Sequence, residues 1–427
     1  MHDVKLLRDN PDVLREALKR RGSALDVSSL IALEEQRRKL LTLIEEQRHT
    51  LKQASEAFGR AKQQGAHAAP PAELKPLSDG IQDHERRLKE LEERVERELA
   101  YVPNLPHSSV PVGDATANQV VRTVGEKPSQ AFTPKTHLEL GTSLGLLDLE
   151  RAAKVAGSHF PLFTGRGAAL ERALINWMLD VQTNEHGYTE MAPPYLVNRA
   201  SMFSTGQLPK FEEDMYRLRD DDLFLVPTAE VPLTNLHRDE VLEESRLPVC
   251  YTGYTACFRR EAGSYGKETK GLVRVHQFDK VELVRFVRPE TSYDELERLV
   301  GHAETILKRL GLHYRVVALA TGDLSFAAAK CYDLEAWAPG LNQYLEVSSC
   351  SNFEAFQARR ANIRYRPASP AGGPQATKKL AHLHTLNGSG VALARTLICL
   401  LETHQQADGH VTIPEPLRPY LHGQERL

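Results

Sequence analysis

The residues best suited to chemistry are concentrated between Phe258 and Glu282. This segment begins with Phe258-Arg259-Arg260-Glu261, crosses a loop rich in Gly, Ser, Lys and Thr, and returns through the run 272–282. Both flanks carry β-branched and aromatic residues, which favour strands, and the polar middle favours a loop. The pattern predicts a long-looped β-hairpin that places two arginines, several carboxylates and one aromatic face on neighbouring strands.

The residue types in this hairpin suit a nucleoside triphosphate. The guanidinium groups of Arg259 and Arg260 are of the kind that binds phosphate oxygens bidentately. A carboxylate takes an ammonium group or orients an arginine, and the ring of Phe278 offers a stacking surface. A solvated hairpin with surface salt bridges explains the same residues, and the hairpin alone does not decide between the two interpretations.

Length and composition indicate a globular protein of two or three domains. The chain has 427 residues with ordinary hydrophobic and charged contents of 41% and 26%, which suit a soluble protein. No apolar run approaches the ~20 residues of a membrane span, and the N-terminus lacks an apolar signal core. We therefore expect a cytoplasmic protein without a membrane partner. The net charge of -3 means that any nucleic-acid contact must come from local patches.

The cysteines predict reduced thiols rather than a disulfide framework. The five cysteines are scattered, and none of them lies in a CxxC motif or a Cys/His cluster with zinc spacing. This usage is typical of a cytosolic protein. A phosphate loop of the Walker type is also absent from the sequence, so an ATP site would not be that of kinases or GTPases.

The first hundred or so residues have the heptad spacing of a coiled coil. Gly/Ala/Pro residues at 65–71 interrupt the pattern, which favours two helices of similar length that fold back on each other. The longer helix would project on the order of 50 Å, and Val4 to Arg21 reads as one short amphipathic helix. A dimerising coiled coil or part of a helical bundle is the alternative. The seam positions are Leu33, Arg37, Leu40, Ile44, Gln47, Leu51, Ala54, Phe58 and Ala61, and then Leu74, Leu77, Ile81, His84, Leu88, Leu91 and Val95.

The rest of the chain mixes helices and antiparallel strands, which predicts an α+β fold. Gly167 to Asn184 and Val391 to Gln406 have helical patterns, and Cys331 to Asn352 resembles a pair of strands. Gly187 to Val197 reads as a turn into a proline-containing strand, and prolines place such a strand at an edge or interface. Arg366 to Thr377 is a loop rich in Pro, Gly and Ala.

Three segments in this order resemble the motifs of class II aminoacyl-tRNA synthetases. They are the helix and strand ending at Pro194, the hairpin Phe258 to Glu282, and the run Gly388 to Arg395 that leads into a helix. Glycines alone usually mark a turn and are weak evidence, but the three segments together are specific. The resemblance implies an antiparallel-sheet catalytic domain preceded by an N-terminal antiparallel α-helical coiled-coil arm.

Shorter segments narrow the resemblance to the seryl-tRNA synthetase family of bacterial type. These are Thr205-Gly206-Gln207-Leu208-Pro209-Lys210-Phe211, Pro227-Thr228-Ala229-Glu230, Glu346 to Asn352, Phe356-Gln357-Ala358-Arg359-Arg360 and His384 to Ser389. The resemblance covers essentially the whole chain. It implies an N-terminal tRNA-binding domain at 1–105 and a catalytic domain at 106–427. The chain departs from the family at Ala394, where Gly is usual, and in the loop Arg366 to Thr377; one added methyl group in a helix should not abolish activity.

The same resemblance implies roles for individual residues. Arg259 is similar to the arginine that bridges the α-phosphate and the substrate carboxylate, and Phe278 and Arg395 to the pair that sandwich adenine. A core aromatic on a strand is the alternative for Phe278. Catalysis is assigned to Arg259 and Arg395. ATP binding is assigned to Arg259, Arg260, Glu261, Val275, Phe278, Glu346, Val347, Ser348, Ser349 and Arg395.

Metal and serine binding are assigned in the same way. Glu346 and Ser349 match the Mg²⁺ ligands, and their oxygen atoms suit this ion; a salt-bridged Glu346 with a capping Ser349 is the alternative. Thr228 and Glu230 resemble the group that takes the serine ammonium, whereas Glu282 and Ser389, with Asn387 nearby, would grip the hydroxyl. The serine set is Thr228, Ala229, Glu230, Glu282, Asn387 and Ser389.

The implied activity is ATP-dependent loading of L-serine onto tRNA(Ser), with tRNA(Sec) as a second candidate partner. In this family the arm reaches across a homodimer to the variable arm and elbow of the tRNA. Arg48, Lys52, Arg60 and Lys62 could contact phosphates, although for each of them a solvated coiled-coil charge is the better explanation. Two rival functions are a paralogue that loads a small amino acid onto a carrier protein and a non-catalytic tRNA-binding or structural paralogue.

Overall fold

The computed structural model describes residues 1–64, 72, 74–261, 271–368 and 380–427. The described residues form two compact units. The first comprises Met1–Lys19 and Ser23–Pro103, and the second comprises Arg20–Gly22 and Asn104–Leu427. The predicted break at 65–71, and most of the loops predicted at 262–271 and 366–377, lie outside the described residues.

The N-terminal part of the chain is helical. Its helices are α1 (Lys5–Asp9), α2 (Pro11–Arg20), α3 (Ser28–Gln63) and α4 (Leu74–Leu99). The prediction of one helix from Val4 to Arg21 was wrong, because the chain leaves the helical conformation at Asn10. The following residue is Pro11, and a proline disfavours helical backbone at the residue before it while fitting well at the start of a new helix.

Helices α3 and α4 pack against each other as the heptads predict. Polar pairs cross between them in antiparallel order: Arg37 lies 3.4 Å from Glu92 and Arg48 lies 2.6 Å from Glu85. The seam residues Leu33, Ile44, Ile81 and Val95 are buried. The antiparallel hairpin is therefore confirmed. The expectation of similar lengths was wrong, because α3 has 36 residues and α4 has 26.

The second unit contains the remaining helices and all the strands. The helices are α5 (His137–Ser143), α6 (Leu149–Ala156), α7 (Arg166–Asn184), α8 (Arg199–Thr205), α9 (Glu230–Asn235), α10 (Ser292–Arg309), α11 (Phe356–Arg360) and α12 (Leu393–His404). The strands are β1 (Gln119–Val124), β2 (Thr189–Glu190), β3 (Leu196–Asn198), β4 (Leu223–Leu225), β5 (Val241–Glu243), β6 (Val249–Phe258), β7 (Gln277–Val287), β8 (Tyr314–Ala318), β9 (Lys330–Ala338), β10 (Gln343–Asn352), β11 (Arg364–Arg366), β12 (Ala381–His382) and β13 (His384–Ala392).

An eight-stranded sheet organises this unit. Its strand order is β1-β8-β9-β10-β13-β7-β6-β2. Every neighbouring pair is antiparallel except β2 and β6, so the predicted α+β fold with an antiparallel sheet is confirmed. Smaller sheets join β12, β11 and β5, and β3 and β4. No helix in the described part of the chain is long and apolar enough to cross a membrane.

Around Lys280 to Leu283 the sheet has one apolar face and one polar face, and further along β7 the second face packs Val284 and Phe286 in another apolar cluster. On β7, Val281 and Leu283 are fully buried in a hydrophobic cluster with side chains of α7, α10 and α12. The alternate residues Phe278, Lys280 and Glu282 project from the opposite face, because successive side chains of a strand point to opposite sides. Apolar packing on one side therefore presents a row of functional side chains on the other.

Most predicted elements of the second unit are present. The helices predicted at 167–184 and 391–406 correspond to α7 and α12, and the predicted pair of strands at 331–352 corresponds to β9 and β10. The single strand predicted within 187–197 was wrong. Two short strands, β2 and β3, lie in different sheets on either side of Pro193-Pro194. Strand β2 lies at the edge of the large sheet, which agrees with the edge position predicted from the prolines that follow it.

Candidate active site

A cavity of about 680 Å³ lies on the polar face of the large sheet. It brings together most of the residues proposed from the three motif segments. Of the described residues, Ala229, Arg260 and Glu282 are the proposed site residues that do not line it. Those that line it are Thr228, Glu230, Arg259, Glu261, Val275, Phe278, Glu346, Val347, Ser348, Ser349, Asn387, Ser389 and Arg395.

The residues outside the cavity wall differ in position. Ala229 is buried in an apolar cluster with Leu233 and Phe286, so its side chain supports the wall from behind. The side chain of Arg260 is exposed, and its backbone N–H donates to the carbonyl of Asp214 at 3.0 Å. Arg260 is thus placed beside the cavity rather than in it.

Glu282 lies directly beneath the cavity wall and is fully buried. Its Oε2 accepts a hydrogen bond from Thr228 Oγ1 at 3.1 Å, and its Oε1 accepts one from Asn387 Nδ2 at 3.0 Å. Lys280 Nζ lies 2.5 Å from Oε2. A carboxylate has about four acceptor positions, so these three partners leave about one for a ligand.

Strand β13 completes this corner of the site. Ser389 pairs directly with Glu282 across the ladder, and the register shifts between Ser389 and Ala392, which marks a β-bulge. A Cβ atom on Gly388 would lie 2.9 Å from Cys350 Sγ, so glycine is required where β13 approaches β10. Bulges of this kind re-aim side chains next to active sites.

Glu230 at the start of α9 is the second buried carboxylate of the cavity. It is 6% exposed. Burial, and next the negative charge of Glu282, raise the pKa of Glu230 to about 7. A hydrogen bond from Gln357 and the positive charges of Lys280 and Arg259 act in the opposite direction. A ligand ammonium group placed here would favour the ionised form.

Cationic and aromatic groups also line the cavity. The guanidinium carbon of Arg259 lies 5.1 Å from the ring centroid of Phe278, and Arg259 Nε donates to the carbonyl of Pro227 at 3.3 Å. Arg395 Nη1 donates to the carbonyl of Glu346 at 2.9 Å. Both arginines are therefore held by backbone carbonyls and keep other N–H groups for a ligand, since each guanidinium has five.

A bulge in β10 places Glu346 and Ser349 on one face. Residues three apart on a regular strand point to opposite faces. Here Glu346 pairs with Glu335 and Ser349 pairs with Asp333 because the register shifts by one residue between them. Burial, and next the charge of Glu346, raise the pKa of Asp333 well above its usual value. Two oxygen donors thus face the cavity side by side.

These two donors do not form a closed metal site by themselves. Across the part of the chain that the structure describes, no three His, Cys, Asp or Glu side chains form a group that could hold a metal ion. An ion at Glu346 and Ser349 would therefore need further oxygen ligands from a bound phosphate or water, which is how Mg²⁺ is commonly held.

The sequence analysis did not propose Lys280 or Gln357. Lys280 could have been identified from strand periodicity, because it lies between Phe278 and Glu282 in the same i, i+2 row. Gln357 donates to Glu230 Oε1 at 2.6 Å, although 127 residues separate the two in the chain. No local pattern indicates such a contact.

The antiparallel sheet and the cavity on its polar face define a class II aminoacyl-tRNA synthetase core. A family model described as the tRNA synthetase class II core domain (G, H, P, S and T) matches residues 210–404. A second, described as the seryl-tRNA synthetase N-terminal domain, matches residues 1–106. The two models together cover most of the chain and are consistent with the resemblance seen in the sequence.

Individual proteins show the same relationship. A serine–tRNA ligase from Nitratidesulfovibrio vulgaris is 53% identical over 429 aligned positions, which cover 100% of this chain and 99% of the relative. The seryl-tRNA synthetase of Pyrococcus horikoshii, solved in complex with ATP, superimposes with a TM-score of 0.91 at 36% identity, covering 100% and 99% of the two chains. The cytoplasmic serine–tRNA ligase of Naegleria fowleri, in complex with AMP, gives 0.87 at 29% identity, covering 100% and 98%. The chain belongs to the seryl-tRNA synthetase family, and the resemblance is confirmed.

The buried pair of Lys280 and Glu282 predicts strong energetic coupling. Lys280→Met leaves a buried carboxylate without its cation and should lower the free energy of unfolding by about 3–5 kcal/mol. Urea unfolding of the single variants and of Lys280→Met/Glu282→Gln measures the coupling. We expect the double variant to lose less stability than the sum of the two single variants.

The exposed pair of Lys154 and Glu150, 3.3 Å apart, supplies the matched control. Lys154→Met removes the same charge at the surface and should change stability by no more than about 0.5 kcal/mol. Additive losses at Lys280 and Glu282, or equal losses at Lys280 and Lys154, contradict the prediction.

Proposed function

We propose that this protein activates L-serine with ATP to form seryl-adenylate and pyrophosphate, and then transfers the seryl group to the 3'-terminal adenosine of tRNA(Ser). One observation carries the proposal. A single cavity combines two buried carboxylates, Glu230 in its wall and Glu282 beneath it, with the arginines Arg259 and Arg395 and the ring of Phe278. These are the groups required by an amino acid and a nucleotide that react with each other.

Charge neutralisation is the main requirement of the first step. An oxygen of the serine carboxylate attacks the α-phosphorus of ATP, a carbon–oxygen–phosphorus linkage forms, and the bond from the α-phosphorus to the pyrophosphate oxygen breaks. Both reactants are anionic, so positioning and electrostatic stabilisation dominate. Arg259, held at Pro227, is assigned to bridge the carboxylate and the α-phosphate. Arg395 and Phe278 are assigned to the adenine.

The carboxylate side of the cavity supports recognition of serine. Glu230 with Thr228 is assigned to the ammonium group, and Glu282 with Ser389 and Asn387 to the hydroxyl. A site built to hydrogen-bond a substrate hydroxyl rejects the analogue without it by roughly 10⁴–10⁵-fold, because buried polar groups are left unpaired. Alanine is excluded in this way, and threonine is excluded by its additional methyl group.

Glu346 and Ser349 are assigned to Mg²⁺ that accompanies ATP. Their oxygen atoms share one face because of the β10 bulge, and oxygen donors are the ligands this ion prefers. The side chain of Glu346 is 47% exposed, so it is accessible to a ligand in the cavity. The ion would neutralise phosphate charge when bound. Arg395 Nη1 lies 3.3 Å from Glu346 Oε2 and orients this carboxylate.

The helical arm is assigned to tRNA binding. We propose that the protein is a homodimer that acts in the cytoplasm, and that the arm of one protomer contacts the tRNA charged by its partner. The domain limits proposed from the sequence, 1–105 and 106–427, assign tRNA recognition to the first part and chemistry to the second. We propose tRNA(Sec) as a second acceptor.

The two rival functions make different demands on the structure. A paralogue that loads a carrier protein has no use for a tRNA-reaching arm, yet the α3–α4 hairpin is present. A non-catalytic paralogue should have lost its site, yet Arg259, Glu346 and Arg395 all line the cavity. Neither rival is favoured by an observation of its own.

Amino-acid-dependent ATP–pyrophosphate exchange tests the activation step. We expect exchange with serine, and lower exchange by at least about a thousandfold with alanine. Arg259→Ala should lower exchange by about 10²–10³-fold, because it removes charge stabilisation at the reacting phosphate. Exchange with glycine or alanine in place of serine contradicts the proposed substrate.

The raised pKa of Glu230 predicts a pH dependence of serine binding. The serine ammonium requires the ionised carboxylate, which is lost as pH falls through about 7. The KM for serine in the exchange reaction should therefore be about tenfold higher at pH 6 than at pH 8. In Glu230→Gln, the KM for serine should be higher than in the wild type at every pH in this range and should no longer change with pH. A wild-type KM that is constant over this range contradicts the role of Glu230.

Deletion of residues 28–100 separates the two steps of the reaction. We expect this variant to lose charging of tRNA(Ser) while serine-dependent exchange stays within a few-fold of wild type, because the cavity residues belong to the second unit. Charging of purified tRNA(Ser) and exchange are measured on the same preparation. Equal loss of both activities would show that the arm supports the fold instead of the tRNA.

A further inference from the structure

Gln357 on helix α11 connects three parts of the chain beneath the cavity. Its side chain is fully buried. The amide Nε2 donates to Glu230 Oε1 at 2.6 Å and to the backbone carbonyl of Thr205 at 3.2 Å, and its Oε1 accepts from Thr385 Oγ1 at 2.8 Å. The two N–H groups and the oxygen of this amide therefore each have a partner.

These partners determine which way the amide points. The carbonyl of Thr205 has no hydrogen to donate, so it must face the amide nitrogen. The same nitrogen then faces Glu230, and the amide oxygen faces the hydroxyl of Thr385. A flipped amide would set two oxygens against each other at Thr205. Gln357 thus presents only a donor to Glu230, and a donor favours the ionised carboxylate.

We propose that Gln357 is a positioning residue for amino-acid recognition, which orients the Glu230 carboxylate and joins it to the cavity wall at Thr205. The inference rests on the proposed function, because it assigns Glu230 to the substrate ammonium. Gln357 does not line the cavity itself. It acts on the substrate through Glu230 and is not a catalytic residue.

The charges around Glu230 explain why such a donor is needed. Burial and the carboxylate of Glu282 oppose ionisation of Glu230, whereas Lys280 and Arg259 favour it. Lys280 is already committed to Glu282 at 2.5 Å. Gln357 is thus a neutral donor that makes a direct hydrogen bond to Glu230. Loss of this hydrogen bond should make ionisation of Glu230 harder.

Helix α11 also holds the cavity wall at a second point. Arg360 Nη1 donates to the backbone carbonyls of Phe203 and Leu208, at 3.0 and 2.9 Å. These carbonyls flank Thr205 and Gly206, which line the cavity. The wall and Glu230 are therefore attached to the same short helix, so a displacement of α11 would move both.

Gln357→Met tests the proposal because it keeps the volume and removes the hydrogen bonds. Loss of a hydrogen bond to a charged group should move the midpoint of the serine KM profile upward by about one to two pH units. At pH 7 the KM for serine should rise by about five- to fiftyfold, and the increase should shrink at pH 8.5. The KM for ATP and kcat at saturating serine should stay within about threefold.

Two further variants keep the test informative if Gln357→Met is unstable. Thr385→Val removes the hydroxyl that fixes the Gln357 amide, and it should shift the midpoint of the serine KM profile by a smaller amount. Thr385→Ser keeps a hydroxyl, so its profile should match that of the wild type. Gln405→Met is the matched control. Gln405 is a buried glutamine that bonds Lys135 and Glu402, and its loss should leave the midpoint in place.

The outcomes separate this inference from the proposed function. Absence of serine-dependent exchange in the wild type contradicts the function. Wild-type exchange together with an unshifted midpoint in both Gln357→Met and Thr385→Val overturns the role of Gln357. A rise in serine KM that is equal at every pH also overturns it, because a merely structural defect would lower affinity without changing the charge state of Glu230.

Discussion

Burial of two carboxylates in one corner of the cavity is the constraint on which the site depends. Glu230 loses water on burial and lies near the negative charge of Glu282, and each of these effects disfavours its ionisation. The surrounding residues offset this cost: Lys280 lies against Glu282, and Gln357 donates to Glu230. A corner held in this way suits an ammonium group with a hydroxyl group nearby and is poorly suited to a ligand without a positive charge.

Bulges that interrupt the regular sheet shape the cavity. The apolar face packs against α7, α10 and α12, which fixes the register of the central strands. Two bulges then change the alternation where chemistry requires it. One lies beyond Ser389, where the chain turns from β13 into α12 and Arg395, and the other lets Glu346 and Ser349 face the same side. If the strands were regular, both of these changes in side-chain direction would be lost.

Local sequence patterns predicted the helices and strands better than they predicted the residues that support the site. Heptads predicted the α3–α4 hairpin, and β-branched and aromatic flanks around a polar loop predicted the hairpin containing Phe278, because both signals are local in the sequence. The split between α1 and α2 follows from Pro11, which is a local signal in the sequence. Gln357 was not predictable, since its contact with Glu230 depends on how distant segments pack. The serine and nucleotide roles themselves came from the family resemblance.

The proton balance of serine binding tests the central claim most directly. Glu230 is about half protonated near pH 7 in the free protein, and the groups of serine itself do not titrate there. Calorimetric titration with serine at pH 7, in two buffers of different ionisation enthalpy, measures the protons released. We expect release of about half a proton per site at pH 7 and almost none at pH 8.5. Binding without proton release at pH 7, or with proton uptake, would contradict it.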